Sequence, residues 1–153
     1  MVALNIMDAT LDDRPVLIKS HTSFTYDKAD RDIAMSTQMS GHENLLKLLG
    51  CFLEFHVPLL VYKYVEYGPF DDHRGLRSLL WKIRLKVAIG IANAITYLHT
   101  SFPRPIIHRE LTLSITFLDK DFVPKLCNFA LSLSIPEGKT HATGTSVHGT
   151  ASG

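Results

Sequence analysis

Lys19, Glu110 and Asn128 carry an ammonium, a carboxylate and an amide, three groups with the capacity for chemistry. Lys19 closes the run Arg14-Pro15-Val16-Leu17-Ile18-Lys19. Glu110 follows Ile106-Ile107-His108-Arg109, and Asn128 comes eighteen residues after Glu110, just ahead of Phe129-Ala130. A lysine offsets negative charge, a carboxylate can take a proton from a hydroxyl, and an amide offers a hard cation one neutral oxygen. Blander roles compete: a strand-end lysine reaching solvent for Lys19, and a packed structural histidine for His108. Other chemistries lack support. His141 and His148 have no cysteine or carboxylate at metal-binding spacing, so zinc is not expected. Gly144, Gly149 and Gly153 are not followed by Gly-Lys-Ser/Thr, as a P-loop requires. No Ser-His-Asp hydrolase pattern stands out.

The elements that must position these residues are legible from periodicity and turn residues. Residues 1–13 carry no clear signal, and 14–19 read as a strand ending in lysine. A weak helical period covers 26–40 and breaks at Gly41-His42-Glu43-Asn44. Strands are expected over 45–55 and 58–65, with Pro58 tolerable at a first strand position. Gly68-Pro69 makes a turn and 71–75 a polar loop. Ile83, Val87, Ile91, Ile95 and Leu98 line one face of a helix over 81–100, which Pro103 and Pro105 then forbid to continue. Strands at 115–118 and 123–127 flank the turn Asp119-Lys120-Asp121, and the residues after 136 form a Gly, Thr, Ser and His rich tail.

Composition sets the outer limits. The chain has 153 residues, 46% apolar and 20% charged, with a net charge of +1. That is enough for one globular domain, and it gives no reason to expect nucleic acid. Cys51 and Cys127 sit outside any CxxC or Cys/His cluster, which fits a reducing compartment. The first residues lack the pattern of a secretory leader, Val2 stands where myristoylation needs glycine, and no apolar run is long enough to span a bilayer. A cytoplasmic protein is expected.

Seven blocks in order carry a resemblance to the plant receptor-like protein kinases: RPVLIK (14–19), STQMSGHENLLKLLGC (36–51), LLVYKYVEYG (59–68), RLKVAIGIANAITYLH (84–99), IIHRE (106–110), DFVPKLCNFALSLSIPEGKTH (121–141) and GTASG (149–153). The chain resembles the wall-associated type, and within it the cytoplasmic pseudokinases that serve as adaptors for intracellular immune receptors. The resemblance implies an α+β fold: a partial kinase N-lobe (antiparallel sheet plus αC helix) and hinge over 14–67, the start of the helical C-lobe over 68–135, and a truncated activation segment over 136–153. It implies a chain shortened at both ends, without the glycine-rich loop or the first strands of the lobe.

The same resemblance gives residues roles and shows what is missing. The kinase pattern is His-Arg-Asp-Leu, three residues, Asn, and later Asp-Phe-Gly. Here Glu110 stands at the catalytic aspartate, Thr112 at the phosphate-steadying lysine, Ile115 at the metal-binding asparagine and Asn128 at the metal-binding aspartate, with Ala130 for the last glycine. Phosphoryl transfer is mostly positioning and charge neutralisation. One ionised and one neutral ligand are lost, so no metal is expected to bind. Lys19 is the retained nucleotide-contacting residue, with Asp32 as its helix partner and Ile33 competing should the alignment slip by one. Tyr62 to Tyr64 form the gatekeeper and hinge, so Lys19, Asp32, Tyr64 and Asn128 outline a weak nucleotide site. No cofactor is expected, or ATP without magnesium.

The function expected is that of a catalytically dead pseudokinase, an adaptor or decoy in plant signalling or immunity. Its partner would be a protein, an intracellular immune receptor or a receptor-like kinase, reached through helix 27–40 and the activation segment. Such a partner could bring it to the inner face of the plasma membrane. The alternatives are an ATP-binding serine/threonine kinase of the wall-associated type and a non-functional truncated product.

Overall fold

The computed structural model describes residues 5–21, 28–69 and 79–142. Its first layer is a four-stranded antiparallel sheet of β1 (Asn5–Leu11), β2 (Arg14–Ser20), β3 (Leu48–Phe52) and β4 (Leu59–Lys63), in the order β1-β2-β4-β3. Residues 1–13, expected to be uninformative, therefore contain a full strand, and the sheet holds one strand more than the resemblance implied. β1 pairs with β2 from Asn5↔Ser20 to Leu11↔Arg14, leaving Asp12-Asp13 as a two-residue turn. Both aspartates have positive φ (48° and 60°), the left-handed pair that a type I′ hairpin demands.

β2 and β4 are central, so their side chains are buried in nearly continuous runs: Val16 and Leu17 on one, Leu60, Val61 and Tyr62 on the other. Helix α1 (Ala29–Gln38) lies between β2 and β3 in the chain, inside the 26–40 expectation, whose residues 26 and 27 fall outside the described ones. The expected strands at 45–55 and 58–65 are realised over their middles. A register shift between Leu48 and Gly50 interrupts the first of these.

Helix α2 (Trp81–Thr100) has the expected bounds. Its buried face is rotated from the expected one: Val87, Gly90, Ala94 and Leu98 are buried, while Ile83, Ile91 and Ile95 flank them half-buried. Trp81, Leu85 and Ile89 form a second, exposed apolar stripe. Two-residue strands β5 (Ile106–Ile107) and β8 (Leu133–Ser134) pair with each other, a pairing the periodicity did not signal. β6 (Thr116–Leu118) and β7 (Pro124–Leu126) make the expected antiparallel pair. Asp119 closes the turn between them by accepting the N–H groups of Asp121 and Val123.

Backbone hydrogen bonds join the sheet layer to this second half. Leu46 N–H donates to Leu126 O and Leu126 N–H to Asn44 O, both at 2.9 Å, and Tyr67 N–H donates to Leu118 O. One apolar core spans the seam, with Leu17, Leu60 and Tyr62 from the sheet, Leu98 from α2, and Phe117 and Phe129 below. No helix among the described residues is long and apolar enough to cross a membrane. The polar loop 71–75 and the tail residues Thr143, Gly144, Thr145, Ser146, His148, Gly149, Thr150 and Gly153 lie outside the described residues.

At Gly90, α2 lies tight against Pro124 and Asn44. A Cβ there would sit 2.4 Å from Pro124 Cγ and 2.9 Å from Asn44 Nδ2. Gly90→Ala gains about 1 kcal/mol of helix propensity but forces a rigid ring aside, at about 1–3 kcal/mol. Urea unfolding should show Gly90→Ala less stable than the parent, whereas an exposed helix glycine would have become more stable.

Candidate functional site

A buried polar cluster links four elements around Asp32, which is fully inaccessible to solvent. β2 presents Lys19, and His21, one residue past the end of the strand, reaches the same cluster. α1 presents Asp32 in its first turn and Ser36 one turn later. The segment after β7 brings Asn128 and Phe129, and the segment after β5 brings Glu110. Lys19 Nζ donates to Asp32 Oδ2 in a buried ion pair, and to Asn128 Oδ1 at 2.6 Å. His21 Nε2 lies 3.0 Å from the same Asp32 oxygen. The other oxygen, Oδ1, accepts Phe129 N–H at 2.8 Å and Ser36 Oγ–H at 3.4 Å. Ser36 in turn meets the Tyr62 hydroxyl at 3.1 Å.

Asp32, rather than Ile33, faces the lysine; Ile33 packs against the apolar core. Burial would raise the Asp32 carboxyl, but Lys19, His21 and the Phe129 N–H outweigh it and hold it at about 2. Burial pushes the Tyr62 hydroxyl well up, and the Asp32 charge adds to that, so it stays a neutral donor.

Asn128 is the hinge of the cluster. Its Oδ1 accepts from Lys19 and its Nδ2 donates to Glu110 Oε2 at 2.6 Å. An amide can face an ammonium and a carboxylate at once because it carries both an acceptor and donors. Its φ of 69° is left-handed, a region asparagine tolerates better than most residues. Glu110 is half-buried, and burial raises its carboxyl above the usual range.

His108 supports this arrangement from below. Its Nδ1 accepts Glu110 N–H at 3.3 Å and its Nε2 meets Cys127 O at 3.0 Å, so the neutral Nε2–H tautomer satisfies both. Burial lowers its pKa to about 4. Cys127, fully buried with Sγ–H directed at Ile115 O, has its thiol pushed up to about 12.

The structure thus gathers Lys19, Asp32, Asn128 and Glu110 and leaves three expected site residues apart. Ile115 is a core side chain, 2% exposed, at the end of a 3-10 turn. Thr112 pairs with Ser114 at 2.9 Å. Tyr64 packs against the core and lines a cavity with Lys47, Lys63 and Lys125. Sequence reasoning missed His21, Ser36 and the Phe129 N–H; strand alternation from Lys19 and the four-residue step from Asp32 were the available signals for the first two. Magnesium does not fit these residues. The oxygen Asn128 would offer is taken by an ammonium, and Ile115 has no donor. Among the described residues no three His, Cys, Asp or Glu side chains are grouped to hold a metal ion.

The model of a family described as protein tyrosine and serine/threonine kinase matches residues 3–150 of the chain. The chain is 49% identical over 138 residues to the serine/threonine-protein kinase ZRK7 of Arabidopsis thaliana, covering 85% of this chain and 51% of that protein. It is 45% identical to the non-functional pseudokinase ZED1 (86% and 41% covered) and 49% identical to the non-functional pseudokinase ZRK6 (85% and 34%), both of Arabidopsis thaliana. The chain spans about half or less of the length of these relatives.

Two outcomes follow from the cluster. His108 is neutral when folded, with its pKa below the unfolded value of 6.5, so its contribution is complete above pH 6.5 and is lost as pH falls toward 4. Asp32, depressed from 3.8, holds its contribution above pH 4 and loses it toward pH 2, on the order of 2 kcal/mol in all. Denaturant melts at each pH should therefore show a first decline between 6.5 and 4 that His108→Gln flattens, and a second below 4 that it leaves in place. Separately, Asn128→Asp sets two carboxylates against each other where Nδ2 now bonds Glu110. It should destabilise the fold by about 1–3 kcal/mol at pH 7, and millimolar magnesium should recover part of that loss while leaving the parent melting temperature unchanged.

Proposed function

Because this chain belongs to the protein tyrosine and serine/threonine kinase family, we propose that it is a pseudokinase acting through protein contacts rather than phosphoryl transfer. The observation that carries this reading is the Lys19–Asn128–Glu110 chain of hydrogen bonds. In an active family member these positions hold a nucleotide and its cations; here an amide stands between the ammonium and the carboxylate and bonds both. The hydrogen bond that Glu110 Oε2 accepts from Asn128 stabilises the ionised carboxylate and so weakens it as a base. Its longer side chain also displaces the carboxylate, and misplacement of about 1 Å costs on the order of a hundredfold in rate.

The role that fits is an adaptor or decoy in plant signalling or immunity. The partner is a protein, an intracellular immune receptor or a receptor-like kinase, met through α1 and the activation segment that begins near residue 136. Both surfaces connect to the cluster: Asp32 sits on α1 and receives the Phe129 N–H from the segment leading to that loop. A cytoplasmic location follows from this reading, with the inner face of the plasma membrane reached through the partner. Several relatives carry the name non-functional pseudokinase.

One observation favours a second reading, an ATP-binding serine/threonine kinase of the wall-associated type. The Lys19–Asp32 pair joins strand and helix as a nucleotide site needs, and ZRK7 is named a kinase. Thermal shift with ATP, with and without magnesium, separates the two. The pseudokinase reading expects no magnesium-dependent rise in melting temperature and no phosphate transfer to a generic protein substrate. A magnesium-dependent rise of several degrees, accompanied by transfer, would establish the kinase reading instead.

A further inference from the structure

Behind the hinge, away from the Asp32 cluster, lies a cavity of about 280 Å³. Its apolar floor is Leu45 and Leu46, both 3% exposed. Around it stand Lys47, Lys63, Lys120 and Lys125, drawn from three stretches of chain. Lys63 N–H donates to Lys47 O at 2.9 Å, which sets those two lysines side by side at the start of the β3–β4 ladder. Lys120 comes from the β6–β7 turn and Lys125 from β7.

The carboxylates of the lining are mostly committed already. Asp119 accepts two backbone N–H groups and sits 3.5 Å from Lys125 Nζ. Lys125 Nζ also donates to Glu43 O at 2.7 Å. Glu66 Oε2 accepts Lys120 N–H at 2.9 Å. Among the described residues, the ammonium groups of Lys47, Lys63 and Lys120 have no carboxylate within ion-pair distance, and Glu43 is the one lining carboxylate with no such engagement. With Asp119 set against Lys125, the three ammonium groups of Lys47, Lys63 and Lys120 face two carboxylates, Glu43 and Glu66, for a surplus of one positive charge. His42, on the same wall, is disfavoured as a cation by burial and by Lys125, against the pull of Glu43. The local field is therefore positive, over a concave apolar floor.

From this we infer that the cavity is a binding site for a compact di- or polyphosphorylated small molecule, held by Lys47, Lys63 and Lys120. The volume is close to the lower end of the usual range for small-ligand pockets. Lysines at its rim suit phosphate as point charges. Two linked phosphate groups carry more charge and more acceptor oxygens than one, so they engage several of these lysines better than inorganic phosphate does. The site shares no residue with the Asp32 cluster, so it stands or falls separately from the pseudokinase reading.

The test is calorimetric titration of the 153-residue chain with pyrophosphate, against inorganic phosphate and against sodium chloride at matched ionic strength. Saturable one-site binding of pyrophosphate is expected, at least tenfold tighter than phosphate. Lys47→Gln/Lys63→Gln should weaken it tenfold or more and Lys120→Gln severalfold, while Glu43→Gln tightens it. Lys82→Gln/Arg84→Gln on exposed α2 should change nothing. These side chains are exposed, and if the double variant melts without cooperativity, the opposite shifts of Lys120→Gln and Glu43→Gln decide the matter. Heat no greater than in the chloride control, or binding that ignores the cavity substitutions, overturns the assignment.

Discussion

A single carboxylate organises this fold. Asp32 lies beyond the reach of water, and an uncompensated charge there would cost several kcal/mol. It is compensated by four groups: Lys19 on a central strand, His21 just past that strand's end, Ser36 on its own helix, and the N–H of Phe129 from the far side of the core. Each contact fixes a distance between elements remote in sequence. The helix cannot swing from the sheet without stranding both charges, and the segment after β7 cannot drop away without leaving Asp32 Oδ1 short of a donor. The surrounding apolar side chains supply the driving force for burial, and Asp32 supplies the geometry.

The neighbouring amide settles the charges on either side of it. A carboxylate at residue 128 would leave two anions facing each other at Glu110, a situation that a divalent ion resolves. Asn128 resolves it by polarity: oxygen to Lys19, nitrogen to Glu110. Ile115 is turned into the core and brings no oxygen to this cluster.

Much of this frame was legible in the sequence, and the exceptions have physical causes. The bounds of α2 followed from a helical period ended by Pro103 and Pro105. Its buried face did not, because the closest approach uses Gly90 and Ala94, small residues that a count of large apolar side chains passes over. β1 was invisible because its residues alternate weakly and its turn uses two aspartates instead of an Asn-Gly signal. β5 and β8 are two residues long and exist only through each other. Lys19, Asp32, Glu110 and Asn128 could be named from the resemblance, yet spacing alone could not show that they meet. His21 and Ser36 lay within reach of simple alternation and helix-turn arguments. The Phe129 N–H had no side-chain signature at all.

The burial of Cys127 has a practical side. With its sulfur enclosed, bonded to a carbonyl and reluctant to ionise, the thiolate that alkylating and oxidising reagents require hardly forms there near neutral pH. Cys51, on edge strand β3 and partly open to solvent, is the other cysteine of the chain. The native sequence therefore carries its own single-position conjugation handle. A fluorophore or cross-linker attached through maleimide chemistry would report from the sheet's rim without any engineered cysteine.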